Sequence, residues 1–320
     1  MGIRVLVLGA QGQLGYVLGQ HAKPALMETM SDCVCYGRDK VDFTRPEQIV
    51  AALKDVRPDV VINAAAYTAV EKAEQEPQLA SQINGKAVGV LAEQCKKQGA
   101  VLVHYSTDYV FDGTANRPYR ENDPINPLSV YGRSKAEGEQ YLQEVGGNWL
   151  VFRTGWVYAQ RGGNFCKTMI KLAQQRPELK VVNDQRGAPT PAAWLAELGL
   201  TVAGVVAQSR YRALGKLAPT FLPDYPAEVP AGEIFHASAA GETTWHEYAT
   251  LALELAVKKG LVANMPAVLP VPTSSMNFAA ARPAYSVLDN AKLRDAFRVN
   301  PPDWAKGVRN LLATLEAGQL

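Results

Sequence analysis

The first half of the chain alternates two patterns of apolar and polar positions. Short runs rich in Val, Leu and Ile predict strands covered on both faces, at residues 4–8, 32–36, 60–63, 101–106 and 149–153. Segments with apolar residues at helical spacing lie between these runs, at residues 12–20, 46–57, 78–98 and 128–145. Because crossover connections between parallel strands are right-handed, this order predicts an α/β fold with a doubly wound parallel sheet.

The pattern becomes less regular after residue 153 and indicates a second, smaller C-terminal domain. Three further elements are predicted there: a helix at 165–175, a strand at 234–237 and a helix at 244–259. A proline-punctuated loop at 209–230 is interpreted either as a lid over a binding site or as a surface insertion.

Composition and charge exclude several classes of protein. Hydrophobic residues make up 47% of the chain and charged residues 20%, which is typical of a globular rather than a disordered protein. Lys and Arg number 33 against 31 Asp and Glu, so no large field is available to hold nucleic acid or an anionic membrane. The four cysteines lack the spacing of a metal site or a disulfide framework, and neither a signal peptide nor a membrane span is evident. We therefore expect a soluble, cytoplasmic protein.

A glycine-rich turn follows the first predicted strand and opens the first predicted helix. Its pattern is GxxGxxG, formed by Gly9, Gly12 and Gly15. Glycine allows a tight turn and lets backbone N–H groups approach a pyrophosphate, whose charge is favoured at a helix N-terminus. An ordinary glycine-containing turn is the alternative. The position directly after an N-terminal strand favours a Rossmann-type dinucleotide site.

The end of the second predicted strand indicates which dinucleotide is bound. An acid there binds the ribose 2′-hydroxyl, whereas a basic residue accommodates a 2′-phosphate. The sequence has Arg38 at this place, and a planar guanidinium suits a phosphate, so we predict NADPH. The neighbouring Asp39 keeps NADH possible.

A tyrosine and a lysine lie four residues apart on a predicted helix. Tyr131 and Lys135 therefore share one face, with Cβ atoms about 5–6 Å apart. A nearby ammonium would stabilise tyrosinate and lower the phenol pKa, which suits a general acid. Thr107 ends the preceding strand at the sheet edge where ligands bind, and its hydroxyl could polarise a carbonyl oxygen. The alternatives are an exposed helix pair and a capping hydroxyl.

These motifs together resemble the extended short-chain dehydrogenase/reductase superfamily, and within it the family that reduces dTDP-linked 4-keto-6-deoxysugars. The resemblance covers nearly the whole chain. First-half motifs that carry it are the glycine-rich turn, VDF at 41–43, VINAAA at 61–66, HYSTDYVF at 104–111 and VYG at 130–132. Second-half motifs are FRTGWVY at 152–158, GNF at 163–165, VNDQRGAPT at 182–190, RP at 282–283 and PDW at 302–304.

The resemblance implies reduction of the 4-keto group of dTDP-4-dehydro-L-rhamnose to dTDP-L-rhamnose, a nucleotide sugar for cell-surface polysaccharide. It implies that Tyr131 donates the proton, that Lys135 tunes Tyr131 and holds the nicotinamide ribose, and that Thr107 binds the keto oxygen. The cofactor contacts it implies are Gly12, Gln13 and Leu14 at the pyrophosphate, Asp42 and Phe43 at the adenine, and Ala64, Ala65, Ala66 and Tyr105 elsewhere. The substrate contacts it implies are Asp108, Trp156, Asn164 and Arg282, with Thr107 and Tyr131.

The sequence also predicts the domain boundaries. Residues 1–153 are expected to form the dinucleotide-binding domain, with segments near 180–205 and 233–260 returning to it. A smaller substrate-binding domain is expected from residues 154–179, 206–232 and 261–320.

One departure from the family concerns a metal. Some members form a dimer bridged by magnesium through glutamates, and at the corresponding places this chain has Val17, Ala193 and Thr314. A hard divalent cation prefers carboxylate oxygens, so we predict no structural magnesium and a monomer or weak homodimer. If the alignment is off by a turn, Glu197 or Glu316 would substitute.

Two other functions remain open. One is an epimerase or reductase acting on another nucleotide-linked 4-keto-6-deoxysugar. The other is a non-catalytic NADP-binding regulatory module, because a fold alone does not establish chemistry.

Overall fold

The structure is a computed structural model that describes residues 3–25, 30–213 and 230–320. Most of the loop predicted at 209–230 lies outside these residues, so both interpretations of it stay predictions. The strands are β1 (Ile3–Leu8), β2 (Met30–Tyr36), β3 (Val60–Asn63), β4 (Val101–Thr107), β5 (Trp149–Thr154), β6 (Val157–Tyr158), β7 (Glu178–Val182), β8 (Arg186–Gly187), β9 (Thr190–Pro191), β10 (Glu233–His236), β11 (Thr243–Thr244) and β12 (Ala267–Val271). The α-helices are α1 (Gln13–Ala25), α2 (Pro46–Val56), α3 (Val70–Ala73), α4 (Pro77–Ser81), α5 (Ala87–Gln98), α6 (Val130–Val145), α7 (Phe165–Ala173), α8 (Ala192–Ala213), α9 (Trp245–Lys258), α10 (Ala291–Phe297) and α11 (Trp304–Thr314).

Six strands form the central sheet in the order β10-β5-β4-β3-β1-β2, and every pairing is parallel. Successive side chains of β1 point to opposite faces, so Val5 and Val7 lie in one core while Leu6 and Leu8 lie in the other. Helices α1 and α8 cover the first face, and α2, α5 and α6 cover the second. The predicted doubly wound α/β fold is confirmed.

The helix predicted at 78–98 is interrupted. A π-helical turn, Gln82–Lys86, separates α4 from α5. Within this turn, Asn84 Nδ2 donates to the Tyr67 carbonyl at 3.0 Å and to Ser134 Oγ at 2.9 Å. Helix α6 crosses so closely that a Cβ on Gly138 would lie 2.2 Å from the Asn84 carbonyl oxygen. The turn therefore adjusts the chain where it packs against the helix that carries Tyr131, and single-turn π-bulges of this kind are frequent at functional sites.

A second core lies beneath the C-terminal half. It is formed by α7, α9 and α11 with β7, which pairs with β12. Helix α9 starts with a capping box in which Thr244 and Glu247 each accept from the other's backbone N–H. Strand β10 joins the large sheet. Helix α9 packs in the second core, where its buried residues face α7 and α11. The predicted domain boundaries stay predictions.

Among the described residues, no helix is both long enough and apolar enough to cross a membrane. The apolar stretch within α8 instead packs against α1 and the sheet.

Candidate active site

A cleft of about 650 Å³ opens at the carboxyl ends of β1, β3, β4 and β5. A smaller pocket of about 240 Å³ adjoins it, and both are lined by Gln11, Gly12 and residues 64–66. Ligands of open α/β sheets bind at this edge. The two pockets together form an elongated site suited to a dinucleotide with a second ligand beside it.

The glycine-rich turn is shaped by close backbone contacts. Gly9 has φ +80°, and a Cβ there would lie 2.5 Å from Ala65 N. A Cβ on Gly15 would lie 2.1 Å from the Gly9 carbonyl oxygen, whereas one on Gly12 would come no closer than 3.4 Å to it. Gly12 lines the cleft together with Gln13 and Leu14, the first residues of α1, and no acid stands in the first turn of that helix. This cradle fits a pyrophosphate at a helix N-terminus.

Arg38 lies at the smaller pocket, as predicted for a 2′-phosphate contact. Its side chain is 72% exposed, and its Nε lies 3.3 Å from Asp42 Oδ2. The Asp42 carboxylate also accepts from Thr44 N, at 2.9 Å, and these hydrogen bonds hold the pKa of Asp42 below its usual value. Phe43 is almost fully buried in the core and also lines the smaller pocket. Arg38 and Asp42 thus face the place expected for the adenosine.

Thr107 and Tyr131 meet inside the cleft. Tyr131 lies in the first turn of α6, a helix that begins because Ser129 caps the N–H of Gly132 at 3.1 Å. Thr107 Oγ1 accepts from the N–H of Tyr109 at 3.1 Å, and its hydrogen bond to Tyr131 favours the phenolate. Burial nevertheless dominates and raises the pKa of Tyr131 to about 12. The expected lowering by Lys135 is therefore wrong for the chain alone, because that ammonium is directed elsewhere.

Lys135 is 2% exposed and extends beneath the sheet edge. Its Nζ donates to the Tyr105 carbonyl at 2.6 Å and lies 3.0 Å from His104 Nε2. Burial lowers its pKa to about 8, while the charge of Glu139 opposes that change. Sequence reasoning missed His104, since a single histidine inside an apolar strand carries no signal of its own.

Tyr105 lines the cleft, and its hydroxyl has a partner in the protein. Its hydroxyl donates to the Leu195 carbonyl at 2.8 Å, and its ring packs 5.9 Å from that of Phe152. Burial accordingly raises the pKa of Tyr105. This hydroxyl is held by α8, so any cofactor contact would come from the rest of the residue.

Asp108 is a buried carboxyl group at the reacting end of the site, with 2% of its surface exposed. It accepts from Thr107 Oγ1 at 3.1 Å, and a Cβ on Gly155 would lie 2.5 Å from its Cγ. Burial raises the pKa of Asp108 to about 6, against hydrogen bonds from Ser286 and Thr107 that lower it. Asp108 is therefore ionised above this pH and can accept hydrogen bonds from sugar hydroxyls.

Two stacked tryptophans form one wall of the cleft. The rings of Trp156 and Trp245 lie 3.5 Å apart with an interplanar angle of 8°. Trp156 adopts φ +51°, and a Cβ on Gly187 would lie 2.5 Å from its indole. Trp245 was not predicted, and its only sequence signal was its place at the start of a well-capped helix.

Asn164 and Arg282 line the cleft but already have protein partners. Asn164 caps α7, and its Nδ2 donates to Gln13 Oε1 at 3.1 Å, which joins the two halves of the chain. Arg282 Nη2 lies 2.5 Å from Glu71 Oε1, and its buried Nε has no hydrogen-bond partner. Glu71 was missed, because it lies more than 200 positions away along the chain.

The residues at the family's magnesium positions are scattered among other contacts. Val17 packs against the first core, Ala193 is exposed at the start of α8, and Thr314 Oγ1 donates to its own helix. No group of three or more His, Cys, Asp or Glu side chains among the described residues is arranged to hold a metal ion. The expected lack of magnesium stays a prediction.

Comparisons with known proteins agree with this geometry. The RmlD substrate binding domain family matches residues 3–317. A dTDP-4-dehydrorhamnose reductase from Burkholderia thailandensis is 42% identical over 96% of this chain and 97% of its own, and one from Escherichia coli is 41% identical over 98% of each. The crystal structure of a dTDP-4-dehydrorhamnose reductase from Bacillus anthracis in complex with NADP has a TM-score of 0.82 and 33% identity, covering 98% of this chain and 99% of its own.

Proposed function

The chain belongs to the RmlD substrate binding domain family, and from this membership we propose that it reduces the 4-keto group of dTDP-4-dehydro-L-rhamnose with NADPH, giving dTDP-L-rhamnose. The observation that carries the proposal is the meeting of Thr107, Tyr131 and Lys135 in the cleft that the glycine-rich turn also lines. A non-catalytic regulatory module would need the fold but not these three side chains together.

The residues divide the reaction between them. NADPH, when bound, would supply the hydride that reduces the keto carbon. Tyr131 gives its phenolic proton to the keto oxygen, so the carbonyl becomes an alcohol and the charges balance. Thr107 hydrogen-bonds the same oxygen and stabilises the charge that develops on it. Lys135, on the next turn of α6, would hold the nicotinamide ribose of the bound cofactor and would restore the proton of Tyr131.

The substrate is held by the second half of the site. Trp156 and Trp245 offer a flat apolar wall to the sugar ring, and Asp108 accepts from its hydroxyls. Arg282 contributes a guanidinium with one buried N–H that lacks a partner, which suits a diphosphate oxygen. Glu71 orients this guanidinium from the opposite side.

The test is NADPH oxidation followed by absorbance, with the keto sugar generated by the enzymes that precede this reaction. Tyr131→Phe should lower kcat by about 10²- to 10⁴-fold while NADPH still binds. Tyr141→Phe, farther along the same helix and outside the cleft, is the matched control and should retain activity. Equal activity of Tyr131→Phe and wild type would refute the role of Tyr131.

The same assay separates the alternatives. Tight NADPH binding without turnover would favour another nucleotide sugar, and then a non-catalytic module. Protein that carries stoichiometric NAD and turns over without added cofactor would favour an epimerase.

We also propose a cytoplasmic location and a monomer or weak homodimer. None of the four cysteines, all of which lie in the described part of the chain, forms a disulfide, which is typical of a reducing compartment. Sedimentation of the purified protein, with and without magnesium, tests the oligomeric state.

A further inference from the structure

Three buried polar side chains form a row behind the catalytic face. Asn63 ends β3, His104 lies beside it on β4, and Lys135 reaches them from α6. Their exposed fractions are 1%, 0% and 2%. Asn63 Nδ2 lies 3.0 Å from His104 Nδ1, and His104 Nε2 lies 3.0 Å from Lys135 Nζ.

The backbone fixes the orientation of the Asn63 amide. The N–H of Ala65 donates to Asn63 Oδ1 at 3.1 Å, so the NH₂ group faces His104. An NH₂ group only donates, and His104 Nδ1 must therefore accept. The single proton of the neutral imidazole then lies on Nε2, where it points at Lys135 Nζ.

A donor at His104 Nε2 distinguishes the two forms of Lys135. The neutral amine has a lone pair that accepts this N–H, and it can still donate to the Tyr105 carbonyl at 2.6 Å. The ammonium has no lone pair and would set one N–H against another. Both nitrogens are buried, so the mismatch would not be relieved by water.

The other groups around Lys135 do not cancel this preference. Glu139, one turn along α6, favours the ammonium, but Arg153 from β5 pairs with that carboxylate at 2.6 Å. Above its pKa of about 6 the Asp108 carboxylate is charged, but the group whose charge acts on Lys135 is Glu139, and Tyr131 remains an uncharged phenol at neutral pH. Burial acts in the same direction as His104.

We propose that Asn63 and His104 are positioning residues that set the protonation of Lys135. Asn63 holds His104 in the Nε2–H tautomer, and this N–H stabilises the amine of Lys135 against its ammonium. Lys135 then gains and loses a proton near neutral pH, as a group that restores the proton of Tyr131 in each turnover must. Only this last step rests on the proposed function.

The tautomer is measured directly by two-bond ¹H–¹⁵N correlation on ¹⁵N-histidine-labelled, cofactor-free protein at pH 7. His236 is an internal reference, because its Nδ1 lies 2.9 Å from the Tyr119 carbonyl and must carry the proton. His21→Gln and His246→Gln together reduce the four histidines to the two buried ones. We expect opposite tautomers, Nε2–H for His104 and Nδ1–H for His236. Two signals of the Nδ1–H type would overturn the proposal whatever the enzyme's activity.

Asn63→Asp should reverse the direction of the hydrogen bonds along Asn63, His104 and Lys135 while it keeps the shape of the side chain. A carboxylate still accepts from Ala65 N but now also from His104 Nδ1–H, which leaves a lone pair on Nε2 for the Lys135 ammonium. The tautomer should switch, and the alkaline limb of kcat should move up by about 1 to 2 pH units, because a hydrogen bond to a charged group is worth roughly 1.5–3 kcal/mol.

Asn290→Asp is the matched control. Asn290 is 7% exposed and accepts from Ser238 N, but it has no histidine partner. Asn290→Asp should therefore change neither the His104 tautomer nor the alkaline limb of kcat. A moved limb without a tautomer switch would show a through-space charge effect and would overturn the proposal. If Asn63→Asp switches the His104 tautomer but the wild-type protein has no reductase activity, the proposed function is contradicted. The inferred hydrogen bonds of Asn63, His104 and Lys135 would still stand.

Discussion

Asp108→Asn should stabilise the protein while it weakens substrate binding. The carboxyl group is buried, and its pKa rises from 3.8 to about 6 on folding. A raised folded-state pKa means that the folded protein binds the proton more tightly than the unfolded chain. Below about pH 4, Asp108 is protonated in both states and does not lower the free energy of unfolding. As the pH rises through 6, the buried carboxyl group becomes charged and stability is lost. Asparagine keeps the shape of the side chain but never carries the charge.

The magnitude follows from the two pKa values. At about 1.36 kcal/mol per pKa unit, the charged form costs about 1.6 kcal/mol at pH 5 and about 3 kcal/mol at pH 7. Unfolding entropy of ~2.1 cal/mol/K per residue converts these to a gain in Tm of roughly 2 °C at pH 5 and 4 °C at pH 7. Thermal unfolding of both proteins across this range is the assay. An advantage of Asp108→Asn that is absent, or equal at the two pH values, would refute the reasoning.

Asp112 supplies a control of opposite sign. Hydrogen bonds from Thr114, Asn126 and Tyr119 lower the pKa of Asp112 to about 2. Its stabilisation is present above the unfolded pKa and is lost as the pH falls towards 2. Asp112→Asn should therefore destabilise the protein at pH 7, which separates burial of a charge from removal of any aspartate.

Two further predictions concern the cofactor. Gly12→Ala should leave Tm nearly unchanged but weaken NADPH binding measured by fluorescence, whereas Gly15→Ala should lower Tm by several degrees, because its Cβ would lie 2.1 Å from a carbonyl oxygen; equal Tm values for the two variants would contradict this. Arg38→Ala should raise the KM for NADPH by roughly 10- to 100-fold, as expected for a lost charge-assisted hydrogen bond, and leave the KM for NADH unchanged, with the exposed Lys40→Ala as control. Parallel changes for both cofactors would show that Arg38 does not contact a 2′-phosphate.

The first five strands of the sheet could be predicted from sequence because each contains a short run of mainly apolar residues bounded by turns. Strand β3 has the predicted bounds, and the other four predicted strands of the first half differ by one or two residues. The π-helical turn at 82–86 could not be predicted in this way, since it lies where Gly138 of another helix passes close to Asn84. Apolar residues at helical spacing predict that a segment is helical, but they do not show which other elements pack against it.

The candidate site shows the same difference between local patterns, which could be predicted, and contacts from other elements, which could not. Tyr131 and Lys135 are neighbours on one helix, so their spacing alone indicates a catalytic pair. The contacts that modify them come from elsewhere: His104 receives Lys135, and Asp108 lies beside Tyr131. Trp245 lines the cleft from a distant segment, and Glu71 pairs with Arg282 of the cleft from far along the chain, so neither carried a local signal.

Trp156 shows how such distant contacts fix local geometry. A bulky residue at φ +51° costs about 1–3 kcal/mol and persists only where its surroundings require it. Gly187 provides that requirement, because its missing side chain leaves room for the indole edge, and Trp245 stacks on the indole face. Both contacts hold the indole in one plane at the wall of the cleft. The strain is therefore coupled to the shape of the sugar-binding wall, and each half of the chain contributes to a site that neither half could form alone.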